Sequence, residues 1–160
     1  IALGSTIGRK KVEVLKERLL DINPKVEVET SDMTLTEDLE ELHLDEYNYI
    51  LDCIDDTKVK VSLAKRCLDE NIVLISSTGT AKKMDPSKLY MTTLDKTSYD
   101  PLAKKMRMEL RGYDTKKLVV LASDEPPLDC ESSTLGSTAF VPASAGLLIA
   151  SYVIRDIIKK

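Results

Sequence analysis

The sequence has 160 residues, which is long enough for one domain with a substantial core and too short to expect two. Its apolar fraction of 42% and charged fraction of 31% are ordinary for a soluble globular protein, and its three cysteines include no CxxC pair that would support a zinc or dithiol site. The net charge of −4 taken alone argues against a nucleic-acid partner, and the longest apolar stretch, residues 143–154, falls short of the roughly 20 residues of a membrane span.

The first third of the sequence predicts two helices and one strand. Apolar residues recur at helical spacing between residues 12 and 22, which predicts a helix from about Thr6 to the Asn23-Pro24 pair. Residues 25–30 alternate valine with charged residues, as half-buried strands do. Residues 36–43 predict a short acidic helix with Leu39 and Leu42 facing inward.

The middle of the sequence predicts a βαβ unit. Residues 49–54 form a short, mostly apolar strand, and a helical pattern follows from Thr57 to Asn71. Residues 72–75 are a second, continuous apolar strand. Because a helix of this length joins the two strands, we expect them to pair in parallel.

The last half predicts two strands, residues 89–94 and 118–122, with a helix between them. Asp100 and Pro101 suit the N-cap and the first position of that helix. Residues 123–138 have the composition of a long loop, and Pro142 starts a last, buried helix. We interpret residues 1–160 as belonging to one domain.

The fold class that follows is α/β, with a Rossmann-type sheet and helices on both faces. Doubly wound folds begin with a strand that leads into a phosphate-binding loop, whereas these elements begin with a helix. Neither GxGxxG nor GxxxxGK[ST] occurs in the sequence. Two explanations stay open: the protein does not bind nucleotides, or the N-terminal βαβ nucleotide half lies upstream of Ile1.

Asp55 is the strongest candidate for chemistry. It follows a strand at the end where α/β sheets bind ligands, and a carboxylate there can hold Mg²⁺ against phosphate oxygens. Its neighbour Asp56 is explained equally well as the cap of the next helix. Lys11 lies in the first turns of a helix, where a cation opposes the helix dipole, and such a conflict is expected of a lysine that serves a ligand phosphate.

Charge is distributed unevenly along the sequence. The net charge is −7 over residues 1–81, +5 over residues 82–117 and −2 over residues 118–160. A basic segment within an acidic protein can mark a surface that binds polyanions, although charge alone favours ordinary solvated lysines.

The cysteines indicate a reducing compartment, and hence a cytoplasmic protein. Cys53 and Cys67 are predicted to lie in the core. Cys130 lies in the predicted loop and is the one thiol exposed enough to consider as a nucleophile, although a cysteine without a role is the favoured interpretation.

Four segments resemble the tRNA threonylcarbamoyladenosine dehydratase family, within the superfamily of ubiquitin-activating-type adenylating enzymes. They are STIGRKKVEVLKERLLDINP, YILDCIDDTKVK, DKTSYDPLAKKMRMELR and GSTAFVPASAGLLIASYVIRDII, and the similarity extends over essentially all 160 residues. The first two segments are shared across the superfamily. The DKTxxDPLAK segment is more specific to the family.

The resemblance implies an enzyme, usually a homodimer, that uses ATP and Mg²⁺ to cyclise threonylcarbamoyladenosine next to the tRNA anticodon through an acyl-adenylate. Lys11 matches the lysine that contacts the ATP phosphates. Asp55 matches the acid that orients Mg²⁺ and ATP, with Asp56 beside it. The family's glycine-rich loop and ribose-binding acid have no match in this sequence, so we expect a C-terminal portion that is inactive alone.

The resemblance also gives the basic segment a role in tRNA binding, and it allows for a sulfur-acceptor or desulfurase-type protein partner. Five residues are expected to contact tRNA phosphates: Lys82, Lys83, Lys104, Lys105 and Arg107. One alternative is an adenylyltransferase that activates the C-terminus of a ubiquitin-like sulfur-carrier protein, although many of these enzymes carry a zinc site of two CxxC pairs. The other is a non-catalytic interaction module with a degenerate site.

Overall fold

The computed structural model describes residues 3–129 and 136–159. Residues Ile1–Leu35 and Thr36–Lys160 form two compact units. The single domain over residues 1–160 therefore stays a prediction.

The described residues of the first unit, 3–35, contain one α-helix, α1 (Lys11–Ile22). The predicted start near Thr6 is wrong because Gly8 has φ +83°, a left-handed conformation that interrupts any helix through this segment. The predicted strand at residues 25–30 is also wrong, since these residues are not paired into the sheet. Their alternating pattern cannot by itself supply the neighbouring strand that a ladder of hydrogen bonds requires.

The second unit contains a four-stranded sheet in the order β1-β2-β4-β3. The strands are β1 (Ile50–Asp52), β2 (Leu74–Ser77), β3 (Leu89–Thr93) and β4 (Val119–Ser123). β1 and β4 both pair with β2 in parallel, whereas β3 is antiparallel to β4. The helix α2 (Thr57–Asp69) joins β1 to β2, which confirms the predicted βαβ unit.

Helices cover both faces of this sheet, as the sequence predicts. Side chains alternate between the two faces along a strand. On one face, Ile75 and Leu121 pack with three residues of α4 (Phe140–Lys159), which are Val141, Ala145 and Ile149. Ser76 points to the opposite face, where α2 lies, and α3 (Pro101–Glu109) packs against α2.

Two further predictions in this unit are wrong. Residues 36–43 form no helix, although Leu39 is buried as expected. Cys53 is exposed, whereas Cys67 is buried. The Cys53 prediction failed because the alternation that buries Asp52 directs position 53 to the same side as Leu51, which is 47% exposed on the outermost described strand of the sheet.

The apolar C-terminal helix begins at Phe140, two residues before the predicted start at Pro142. α4 has 20 residues and is, by length and composition, apolar enough to cross a membrane. Its inward residues belong to the core, but Leu147, Ile154 and Ile158 are exposed, so the prediction of a buried helix is correct for one face only. The absence of a membrane span stays a prediction.

Candidate functional site

Asp55 lies in the short loop between β1 and α2, where the parallel strands present their carboxyl ends. Its side chain is exposed, and it forms no hydrogen bond or ion pair with any other described residue of its unit. An acidic side chain in this place is available to a ligand, because no internal partner competes for it.

The neighbours of Asp55 are both held in place. The backbone N–H of Ile54 donates to Asp52 Oδ1 at 2.9 Å. On the other side, Asp56 Oδ1 accepts from the backbone N–H groups of Lys58 at 2.8 Å and Val59 at 3.2 Å, so Asp56 is the N-cap of α2. The loop therefore presents Asp55 from a fixed backbone, and a ligand role for Asp56 in addition to its capping stays a prediction.

A buried polar network lies directly below this loop. Lys60 Nζ donates to Asp52 Oδ2 at 2.6 Å, to Ser76 Oγ at 3.2 Å and to the carbonyl of Ser77 at 3.0 Å. Ser76 Oγ in turn donates to Asp52 Oδ2 at 2.6 Å. Lys60 and Ser76 are fully buried and Asp52 is 2% exposed, so a complete ion pair is enclosed between β1, β2 and α2.

This network is absent from the sequence-based predictions, although the sequence contains a signal for it. Lys60 precedes Ala64 by four positions, which places the lysine on the inward stripe of an amphipathic helix. A lysine on such a stripe requires a buried anion, and the nearest strand ends in Asp52. The combination is therefore a sequence signature of a buried ion pair.

A second buried carboxylate lies close to the same edge of the sheet. Asp100 caps α3 by accepting from the N–H groups of Leu102 at 2.9 Å and Ala103 at 3.2 Å. Its other oxygen accepts from the N–H of Gly79 at 2.8 Å, just beyond the end of β2. A Cβ on Gly79 would lie 2.9 Å from Asp100 Oδ1, so only glycine allows this close approach. The aspartate of the DPLAK motif thus ties α3 to the sheet.

This arrangement makes Asp100→Asn a selective variant. The asparagine oxygen still accepts the two capping bonds, but its amide nitrogen cannot accept from Gly79. We expect urea unfolding to show that the free energy of unfolding falls by about 1–3 kcal/mol, because the buried N–H of Gly79 is left without an acceptor. The control is Asp85→Asn, at the cap of an exposed 3₁₀ turn, for which less than about 0.5 kcal/mol is expected. Equal losses would contradict the Asp100–Gly79 contact.

The predicted tRNA-binding residues are placed differently from one another. Lys104 and Lys105 are exposed on α3. Lys82 is half-buried. Lys83 is 2% exposed and donates to the carbonyl of Glu125, and burial lowers the pKa of Lys83.

Arg107 is half-buried, like Lys82, and its guanidinium forms hydrogen bonds within its own unit. It donates to the Thr97 carbonyl at 3.1 Å and also contacts the Thr97 hydroxyl. Contact of Lys83 or Arg107 with phosphate stays a prediction that these internal contacts oppose.

Lys11 is the first residue of α1 and is exposed. In the same unit, Arg9 pairs with Glu17 and Lys10 pairs with Asp32 at 2.5 Å, whereas Lys11 has no such partner among the described residues of its unit. Lys11 belongs to the first unit and Asp55 to the second, and each is available to a ligand within its own unit. Cys130 lies outside the described residues.

Comparison with known proteins identifies close relatives. A family model described as the ThiF family matches residues 1–160. The tRNA threonylcarbamoyladenosine dehydratase of Bacillus subtilis is 37% identical over 177 residues, which cover 99% of this chain and 70% of that protein. The protein of the same name from Escherichia coli is 29% identical, with the same coverage.

Solved structures agree with this similarity. The crystal structure of the E. coli enzyme TcdA in complex with AMP has a TM-score of 0.89 and 29% sequence identity, and covers 99% of this chain and 68% of that one. The complex of TcdA with ATP also has a TM-score of 0.89, with 28% identity.

Proposed function

Because the chain belongs to the ThiF family, we propose that it takes part in the ATP-dependent dehydration of N6-threonylcarbamoyladenosine next to the tRNA anticodon. The observation that carries this proposal is 37% identity, over 99% of the chain, to a tRNA threonylcarbamoyladenosine dehydratase. In the proposed reaction the substrate carboxylate attacks the α-phosphorus of ATP and expels pyrophosphate. Ring closure within the activated threonylcarbamoyl group then expels AMP and releases a proton.

In this proposal Asp55 holds Mg²⁺ and thereby orients ATP. The donor chemistry fits, since Mg²⁺ in nucleotide enzymes is held by one or two carboxylates together with substrate phosphates. Asp55 is exposed and has no partner in its unit. The described residues contain no cluster of three or more His, Cys, Asp or Glu side chains that could hold a metal ion by themselves. The metal would neutralise charge on the phosphates, which is the main requirement of phosphoryl-group chemistry.

Lys11 is proposed to contact the ATP phosphates, supported by its exposure and by the lack of a partner in its unit. The 160 residues contain no GxGxxG loop, and it stays a prediction that this chain alone does not bind ATP appreciably. The exposed apolar residues of α4, among them Leu147 and Ile154, support the proposal of a homodimer. A cytoplasmic location is proposed from the similarity to tRNA-modifying enzymes.

The proposed function is tested by AMP release. The intact gene product is incubated with ATP and tRNA that carries threonylcarbamoyladenosine, and AMP is expected to form only when that tRNA is present. The matched control is the same tRNA without the threonylcarbamoyl group. AMP formation that requires a small carrier protein ending in Gly-Gly, and ignores tRNA, would instead support sulfur-carrier activation.

The exposed lysines of α3 are proposed to contact tRNA phosphates. For the double variant Lys104→Glu/Lys105→Glu, we expect weaker tRNA binding and a salt dependence whose logarithmic slope falls by roughly 0.7–0.9 for each phosphate that the protein no longer neutralises. Binding is measured by filter retention at several salt concentrations. The control is Lys25→Glu, an exposed lysine of the first unit, which should leave the slope unchanged. If the salt dependence of tRNA binding were unchanged in the double variant, Lys104 and Lys105 would not contact tRNA phosphates.

A further inference from the structure

The buried Lys60–Asp52 ion pair lies beside the loop that carries Asp55. A fully buried ion pair is weak evidence for stability, because desolvation offsets most of its attraction and apolar residues of similar volume often serve as well. In this chain the pair is not remote from chemistry, since Asp52 is the last residue of β1 and Asp55 follows three positions later. The ion pair is therefore better explained by a role in fixing the loop between β1 and α2 than by a contribution to stability.

The carboxylate of Asp52 is divided between two tasks. One oxygen, Oδ2, receives Lys60 Nζ and Ser76 Oγ, each at 2.6 Å. The other, Oδ1, receives the backbone N–H of Ile54 at 2.9 Å. Because three donors surround one carboxylate, its rotation is blocked and the Ile54 amide is fixed in turn.

The same helix holds the loop from the other side. Lys60 lies on the first turn of α2, and Asp56 caps that turn through the N–H groups of Lys58 and Val59. Asp55 is therefore flanked by two residues that are connected to α2. Ile54 is connected through Asp52 and Lys60, and Asp56 is connected directly as the N-cap. The ammonium of Lys60 also compensates the charge of Asp52, so that Asp55 and Asp56 are the acids of this loop that remain without a paired cation among the described residues of their unit.

We propose that Lys60 and Ser76 are positioning residues, which lock the carboxylate of Asp52 so that it shapes the loop that presents Asp55 to the nucleotide and its metal. The proposal rests on the function proposed above. Residues that orient metal ligands without contacting the metal typically contribute 10–100-fold to metal affinity or activity.

The test uses Ser76→Ala and Asp52→Asn in the intact gene product. Ser76→Ala keeps the Lys60–Asp52 ion pair and is the decisive variant, whereas Asp52→Asn leaves Lys60 without its anion and is compared with a control of similar stability. The first readout needs no substrate: amide hydrogen exchange at Ile54 is expected to quicken about tenfold, as one weakened hydrogen bond implies. The second is turnover, for which kcat is expected to fall 10–100-fold while KM for the tRNA stays unchanged. Val141→Ala is the control for general destabilisation, since Val141 lies in the core layer on the opposite face.

The outcomes separate the two proposals. Faster exchange at Ile54 and a lower kcat in the two variants, with neither change in Val141→Ala, would support the positioning role. Unchanged exchange at Ile54, or an equal fall of kcat in Val141→Ala at equal stability, would overturn it. A wild-type protein without turnover would overturn the proposed function, and exchange at Ile54 would then decide alone whether the network holds the loop.

Discussion

Asp55→Asn is expected to lower the rate of adenylate formation by about two to three orders of magnitude, the range seen when one preorganised charge-stabilising group is removed. Asparagine has nearly the same shape, and Asp55 supports no other described residue of its unit, so the fold should be unaffected. The loss would then reflect the missing negative charge at the metal. Release of pyrophosphate by the intact gene product measures it directly.

The matched control for this prediction is Asp56→Asn. Asparagine is as good an N-cap as aspartate, so the hydrogen bonds to Lys58 and Val59 remain while one negative charge beside Asp55 disappears. A much smaller effect than that of Asp55→Asn is expected. If both variants lost activity equally, net charge in the loop rather than Asp55 itself would be responsible, and the assignment of Asp55 would be wrong.

Lys60→Met is expected to lower the free energy of unfolding by about 3–5 kcal/mol, the usual effect of removing one partner of a buried ion pair. Methionine fills most of the lysine volume but cannot pair with Asp52, which is 2% exposed and would keep an uncompensated charge. Urea unfolding of the variant and the wild type gives this difference.

Two comparisons make the Lys60 prediction specific. Lys58→Met changes an exposed lysine of the same helix, whose carboxylate partner Glu37 lies 3.9 Å away, and should shift stability by less than about 0.5 kcal/mol. In the double variant Asp52→Leu/Lys60→Met no charge is left unpaired, so it should be less destabilised than the sum of its single variants. Additive losses would mean that Lys60 and Asp52 do not interact.

Local signals in the sequence were sufficient for the middle of the fold. The βαβ unit was predictable because the periodicity changes at Thr57, and the start of α3 was predictable because Asp100 and Pro101 each fit one defined position of a helix. The position of Asp55 followed from the same logic, since ligands of α/β sheets bind beyond the carboxyl ends of the strands.

Features that depend on distant partners could not be predicted in this way. Residues 25–30 have a strand pattern, but a strand also requires a neighbour that the pattern does not identify. The family resemblance of the basic segment predicts that Lys83 and Arg107 contact tRNA phosphates, yet each donates to a backbone carbonyl within its unit. Long cationic side chains can reach either solvent or the interior, and only the packing decides between them.

The central claim is that Asp55 serves the cyclisation of threonylcarbamoyladenosine in tRNA, and nucleoside mass spectrometry tests it most directly. Modified tRNA is incubated with ATP, Mg²⁺ and the intact gene product, then digested to nucleosides. We predict that threonylcarbamoyladenosine loses the mass of one water molecule with the wild type and stays unchanged with Asp55→Asn. Unchanged nucleoside with the wild type, or equal conversion by the Asp55→Asn variant, would contradict the claim.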